Sequence, residues 1–314
     1  MPDLITIGET MVAFTPEGGI PIHEAPPFHM HIAGAESNTA IGIARLGHSS
    51  GWISRLGDDS FGNYILQTIN SESVDTSRTV LDSTHVTGVM FKQPSNENET
   101  TVCYYRENSA ATYLSTADLD IDYLKSAKIL HITGITPILS DSCNEYIQAS
   151  IHTAHENGIL ISFDPNIRRK LWENNDYRPR LNNIVNYSDI VLLGLSEANF
   201  LYGTSNINTI LQNIFSNNQV RYVAIKNGSK GAWVCTRDER HFIEPIPCIS
   251  VDPVGAGDGF NAGFLHGVLD DKDIRTCGIY GGIVGAMATE TYGDIDGYPT
   301  YERLKEMQKK HNIY

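Results

Sequence analysis

Short, unbroken apolar runs recur along the chain at Leu4 to Gly8, Ile129 to Thr133, Ile159 to Phe163, Ile190 to Leu193 and Tyr222 to Ile225. A strand with one wet face alternates apolar and polar residues; these runs do not alternate, so they predict strands buried on both faces of a largely parallel sheet. Between them lie stretches of helical pattern such as Asp141 to Asn157, for which Gly158 reads as the stop. Strand and helix alternate, which predicts the α/β class: a three-layer α/β/α sandwich with a mostly parallel central sheet. One region departs from this pattern. Thr87 to Gln93 and Thr100 to Tyr105 are strand-like and flank the polar Pro94-Ser95-Asn96-Glu97-Asn98-Glu99, the signature of a hairpin. With the extended stretch from Met11 to His31 it predicts a small β-sheet standing off the core, usable as a lid, as a dimer surface, or as both. We therefore read residues 1–314 as a single domain whose lid comes from inserts at about 11–32 and 84–108.

Composition narrows the partners. The formal charge of −14 repels a nucleic-acid backbone, whose binding depends on neutralising phosphates with Lys and Arg. No window approaches the apolar length that a bilayer crossing requires, so neither nucleic acid nor membrane is expected as a partner. The start of the chain runs from Met1 into the first apolar run without the three regions of a secretory signal, which predicts a cytoplasmic location. Five scattered cysteines (Cys103, Cys143, Cys235, Cys248 and Cys277) fit reduced thiols better than a disulfide framework or a zinc motif.

Candidate chemistry concentrates at Asp252-Pro253-Val254-Gly255-Ala256-Gly257-Asp258-Gly259-Phe260. Closely spaced glycines let the backbone turn tightly and present its amides, and the apolar periodicity that follows predicts a helix. Free amides at a helix start, aided by the macrodipole, form an anion hole for a phosphate that gains charge in a transition state. That assigns Gly255, Ala256 and Gly257 to phosphate stabilisation. An acid beside phosphate then has a use, because a carboxylate reaching both phosphate and a substrate hydroxyl can take the hydroxyl proton; Asp258 is the candidate base. Read from local spacing alone, Asp258 serves equally well as a first-turn capping acid.

The segment Asp252 to Asp258 resembles the C-terminal Asp-Thr-x-Gly-Ala-Gly-Asp signature of the ribokinase-like, or PfkB-type, carbohydrate kinases, with Pro253 in the Thr place. The N-terminal glycine region of that family has its counterpart in Gly34-Ala35-Glu36-Ser37-Asn38-Thr39-Ala40, followed by a helix to Leu46-Gly47 and then Gly57-Asp58-Asp59-Ser60-Phe61-Gly62. The resemblance spans essentially the whole chain. It implies an α/β/α core with a β lid, ATP as phosphoryl donor and Mg²⁺ held mainly through phosphates. Within the family the chain looks most like the kinases of 2-keto-3-deoxygluconate, a six-carbon keto acid phosphorylated on its C6 hydroxyl. Tyr104-Tyr105-Arg106 with Ser109-Ala110-Ala111, Gly134-Ile135-Thr136, and Asp164-Pro165-Asn166-Ile167-Arg168 with Leu171-Trp172 carry this narrower likeness.

The resemblance implies roles one residue at a time. Gly34 and Asn38 lie against the sugar, Tyr105 bonds the substrate, and Asp294 is a substrate-side acid. Arg106 and Arg168 would bind the substrate carboxylate, for which a guanidinium is well matched; as residues alone, both also read as ordinary solvated charges. The nucleotide side comprises Asn166, Arg168, Ser196 and the turn Lys226-Asn227-Gly228-Ser229-Lys230-Gly231, in which Lys226, Gly228, Ser229 and Gly231 line the adenosine and phosphates. The family's Asn-x-x-Glu motif for Mg²⁺ appears here as Gly194-Leu195-Ser196-Glu197, so Glu197 alone remains, acting indirectly. Pro253 removes a backbone donor where a monovalent-cation site would form, leaving that site open to question. The expected partners are thus a sugar acid, ATP and a second copy of the chain. A dehydrogenase fingerprint is missing, since Gly8-Glu9-Thr10 follows the first strand rather than Gly-x-Gly-x-x-Gly. A non-catalytic sugar sensor would have no need of Asp258. The close rival is a kinase of the same fold acting on a neutral sugar such as fructose or ribose, or on a nucleoside.

Overall fold

The computed structural model describes residues 1–24, 26–94, 100–172 and 175–310; Ser95 to Glu99, the middle of the expected hairpin turn, lie outside them. The strands are β1 Leu4–Ile7, β2 Met11–Pro16, β3 Phe28–Ala33, β4 Ser50–Ile53, β5 Arg55–Gly57, β6 Val80–Asp82, β7 Val89–Pro94, β8 Thr100–Tyr105, β9 Ile129–Thr133, β10 Leu160–Asp164, β11 Ile190–Gly194, β12 Tyr222–Lys226, β13 Ala232–Cys235 and β14 Arg240–Ile243. The helices are α1 Ala35–Arg45, α2 Ser60–Ser71, α3 Ile121–Leu124, α4 Thr136–Leu139, α5 Asp141–Glu156, α6 Arg178–Tyr187, α7 Leu195–Tyr202, α8 Ile207–Phe215, α9 Ala256–Leu269, α10 Ile274–Ala288 and α11 Tyr301–Lys310.

Eight strands form the central sheet in the order β14-β13-β12-β11-β10-β9-β1-β4. The pairs from β4 across to β12 are parallel, and the β12–β13 and β13–β14 pairs at one edge are antiparallel, so β13 is the reversed strand. The five apolar runs are the five strands β1, β9, β10, β11 and β12, buried on both faces because helices cover both. One core packs α1, α9 and α10 on one face around Ile41, Phe264 and Ile283; the other packs α5, α6 and α8 on the opposite face around Tyr146, Ile184 and Ile210. Residues here thus form the expected three-layer sandwich. Ser140 caps α5 by accepting the Cys143 amide at 3.1 Å, and Gly158, just beyond its C-cap Asn157, has φ 69°, a backbone state that glycine adopts without a Cβ penalty.

The second sheet has the order β3-β2-β7-β8, built from the two stretches that break the alternation. Its own small core is Met11, Ala13, Ala33 and Met90. Strand alternation sorts its side chains. Phe14, Phe28, Phe91 and Tyr105 interlock on one face, joined by Phe61 of α2, with ring centroids 5.1–6.4 Å apart. Lys92, Met90 and Tyr104 belong to the other face, the one turned to the central body, where Lys92 is buried.

Candidate active site

Parallel strands deliver their C-terminal ends to one edge of the sheet, and polar residues gather there: Thr133 ends β9, Asp164 ends β10, Gly194 ends β11 and Lys226 ends β12. Lys226 Nζ donates to Asp164 Oδ2 at 2.8 Å and to Asn261 Oδ1 at 3.0 Å, while Asn261 Nδ2 donates to Asp164 Oδ2 at 2.6 Å. Burial acts to raise the Asp164 carboxyl, but the charge of Lys226 and its hydrogen bond bring it below its ordinary value. Asn166, held left-handed at φ 39°, turns the chain after β10, its amide bonded to Asp164 Oδ1 at 3.0 Å.

The glycine motif ends in α9. Gly255 is its N-cap at φ 81°, and a Cβ there would overlap the carbonyl of Asp294. Tyr298 Oη donates to the Gly255 carbonyl at 2.8 Å, fixing the turn. Ala256 N–H is partly taken by the Pro253 carbonyl at 3.3 Å, and Gly257 and Asp258 lie in the first turn, whose amides have no intrahelical acceptor. The space over Gly257 is open, the nearest atom to a notional Cβ being Lys226 Nζ at 3.9 Å.

Asp258 does not cap its own helix. Asn38 Nδ2 donates to its Oδ2 at 2.9 Å and Asn166 Nδ2 to its Oδ1 at 3.4 Å. Burial pushes the Asp258 carboxyl up to about 7; the Asn38 amide and the charge of Arg168 pull the other way. Asn38 also donates to Asp294 Oδ2 at 3.4 Å, and Lys92 Nζ, reaching in from the small sheet, donates to Asp294 Oδ1 at 2.6 Å. The helices that carry Asn38 and Asp258 meet closely, because Gly42 of α1 leaves room for Ala262 of α9; a Cβ at Gly42 would lie 2.5 Å from that of Ala262.

A cavity of about 890 Å³ opens above this arrangement. Of the residues singled out in the sequence it gathers Asn166, Arg168, Ser196, Glu197, Lys226, Gly228, Ser229, Gly231, Gly255, Ala256, Gly257 and Asp258. Asn38 joins it by donating to Asp258, and Asp294 joins through Asn38. Gly34, Tyr105 and Arg106 are not among its lining residues. Gly34 is the N-cap of α1 against Glu9 and Thr10. Arg106 is buried in an ion pair with Glu9, whose second oxygen accepts from Ser109 Oγ at 2.7 Å. Tyr105 is 65% exposed on the aromatic face, whereas Tyr104 shares the face of Lys92; strand parity, not hydroxyl chemistry, separates these neighbours. Both Glu197 oxygens accept backbone amides, from Ile167 at 2.8 Å and Gly194 at 2.6 Å, so the side chain braces the cavity wall.

Sequence reasoning passed over Glu9, Glu36, Lys92, Asp164, Asn261 and Tyr298. Glu36, next to Asn38 in the first part of α1, is fully enclosed; Thr133 and Thr136 donate to its Oε1 at 2.6 and 2.9 Å, and burial pushes it up to about 7. A glycine motif followed by an acid two residues before an Asn was the available signal for it.

A profile described as pfkB family carbohydrate kinase matches residues 1–301. The chain belongs to that family. It is 37% identical to the 2-dehydro-3-deoxygluconokinase of Bacillus subtilis (strain 168) over 96% of this chain and 94% of that protein. It is 28% identical to the probable fructokinase-7 of Arabidopsis thaliana, covering 97% of this chain and 92% of that one. Among solved structures, a putative ribokinase II from E. coli, determined in complex with ATP and Mg²⁺, superposes with a TM-score of 0.91 at 25% identity and covers 99% of this chain and 100% of that one. This carbohydrate kinase has, among its described residues, no helix long and apolar enough to cross a membrane.

Proposed function

We propose that the protein transfers the γ-phosphoryl group of ATP to the C6 hydroxyl of 2-keto-3-deoxygluconate, with Asp258 as the general base. The observation that carries this reading is a buried carboxylate at the mouth of a helix N-terminus, under a cavity large enough for a nucleotide, with its proton affinity lifted to about 7. A base of that strength takes a hydroxyl proton near neutral pH, and first-turn amides of Gly257 and Asp258 receive the charge that builds on the transferring phosphoryl group. Asn38 and Asn166 hold the carboxylate in place. Lys226, Ser229, Gly228 and Gly231 then line the nucleotide, and Arg168, exposed at the mouth, spans phosphates and sugar acid.

Mg²⁺ fits this wall only indirectly. Asp164 is engaged by Lys226 and Asn261, and Glu197 by two amides, so a divalent ion would be held chiefly through phosphates, with both carboxylates acting across water. When bound it neutralises phosphate charge. The small sheet serves as a lid: Lys92 already links it to Asp294 beside Asp258. Its aromatic face, where Phe28, Met30 and Tyr105 are 36%, 40% and 65% exposed, suits an interface between two copies.

A neutral-sugar substrate such as fructose is the second reading, and one contact favours it: the Arg106 guanidinium is already committed to Glu9. A coupled assay offering ATP with 2-keto-3-deoxygluconate, its galacto epimer and fructose tests both. Turnover of fructose at far higher kcat/KM than either keto acid would overturn the sugar-acid reading; turnover of none would overturn both.

A further inference from the structure

The far end of α9, the helix that carries Asp258 in its first turn, bears a cluster for which phosphoryl transfer has no use. His266 lies eight residues along α9 from Asp258, about 12 Å away at 1.5 Å per residue, and Asp270 is the C-cap of the same helix. His48 reaches them from the turn between α1 and β4. His48 Nε2 stands 2.8 Å from His266 Nδ1 and 3.5 Å from Asp270 Oδ1, and the three atoms all fall within 4.8 Å of one another.

We propose that His48, His266 and Asp270 form a binding site for a divalent metal ion of the zinc class, which clasps the α1–β4 turn to the C-terminal end of α9. Two imidazoles and one carboxylate are a donor set that zinc favours, with a water in the fourth position. Bonds of about 2.05 Å in a tetrahedron put donor atoms about 3.3 Å apart, and the two shorter separations here lie on either side of that value. A shift of some tenths of an ångström in the partly exposed His48 and Asp270 side chains, 15% and 30% accessible, completes the geometry and admits the water. The orientation of His266 is already decided. Its Nε2 is buried without a hydrogen-bond partner, and its ring packs against Tyr280 and Tyr301 at 5.4 and 5.3 Å, so Nδ1 is the atom offered to a ligand. The negative end of the α9 dipole also favours a cation here. The groups that oppose it are cationic and exposed: Lys272, 4.0 Å from the other Asp270 oxygen, and Lys305.

The competing explanation is a plain hydrogen bond between two neutral imidazoles, which also gives 2.8 Å. Isothermal titration of the untagged, EDTA-treated full chain with Zn²⁺ alone, no nucleotide present, separates the two. One equivalent should bind, and His48→Gln and Asp270→Asn should each weaken it at least about tenfold, the loss that disturbing even the outer shell of a metal site brings. Zn²⁺ should also raise the thermal midpoint of the wild type and not that of the double variant. Because Cys103 and Cys248 are exposed thiols, zinc bound equally by the wild type and the double variant would overturn the proposal, as would no binding at all. Should the variants lose stability in EDTA, Co²⁺ substitution in the wild type decides: the intense visible bands of a four-coordinate nitrogen and oxygen site support it, and a six-coordinate spectrum refutes it.

Discussion

Replacing Asp258 by Asn should make the enzyme slow and the fold more stable at once, and the second effect should depend on pH in a direction fixed by the structure. An unfolded Asp titrates at 3.8, whereas burial lifts this one to about 7. Below pH 3.8 both states hold the proton and the group contributes nothing. As pH rises from there to 7 the unfolded chain releases its proton first, so the folded state loses ground; above 7 the cost is constant. A shift of about 3 pKa units corresponds to about 4 kcal/mol at most, since one unit is worth 1.36 kcal/mol. An isosteric amide avoids that cost and still accepts the Asn38 bond, but turns its own N–H groups toward Asn166 and so loses that contact, worth about 1 kcal/mol. The variant should therefore gain about 2–3 kcal/mol at pH 8, and almost nothing at pH 4.5. At about 2 °C per kcal/mol for a chain of this size, calorimetry at both pH values would read a midpoint raised by about 4–6 °C at the higher one. The kcat should fall by about 10²–10⁴-fold, the worth of a general base, with ATP affinity nearly unchanged. A variant that is less stable than the wild type at pH 8 would refute the buried, strained base, and one with wild-type kcat would refute its role.

Wild-type kcat should itself rise through about pH 7 as Asp258 loses its proton, and this rise should be absent from the residual rate of Asp258→Asn; a flat wild-type profile from pH 5 to 9 would contradict the assignment. Arg168→Ala should raise KM for the sugar acid strongly, and by far more than KM for fructose; equal efficiency on the sugar acid would remove the carboxylate role of Arg168. Gly255→Ala forces a side chain into a left-handed turn and against the Asp294 carbonyl, so it should cost about 1–3 kcal/mol and most of the activity, read by urea unfolding and the coupled assay. Lys92→Met strands the buried Asp294 carboxylate and should cost about 3–5 kcal/mol, which Lys92→Met with Asp294→Asn should largely restore. Amides of β7 and β8 should gain hydrogen-exchange protection on adding sugar; unchanged exchange would make the small sheet structural only.

The parts of this fold that were legible are those whose cause is local. Each apolar run became a strand because both its faces are covered, and Gly158 ended α5 because its φ is positive. The turn before α9 was announced by Gly255, whose φ of 81° suits a residue without a Cβ. Long-range partners left no such mark: Asn38 and Asp258 are 220 residues apart and meet only because Gly42 lets two helices touch. Tyr105 and Arg106 show the other limit. Their types suit a sugar acid, but which face of β8 a residue takes depends on pairing register, and whether an arginine is free depends on Glu9, which comes 97 residues earlier.

The separate hydrophobic cluster of the small sheet, Met11, Ala13, Ala33 and Met90, has a bearing on how such an enzyme diversifies. Lys92 and Tyr104 hang on strands whose own small cluster is tied to one large core through Val12 and Ile32, and that same core holds Phe260 and Ala262 of the helix that carries Asp258. Variation on the inner face of this sheet is therefore felt in the body that holds Asp258, transmitted through Val12, Ile32 and the Lys92–Asp294 pair, so a new sugar preference and an intact fold have to be reached together.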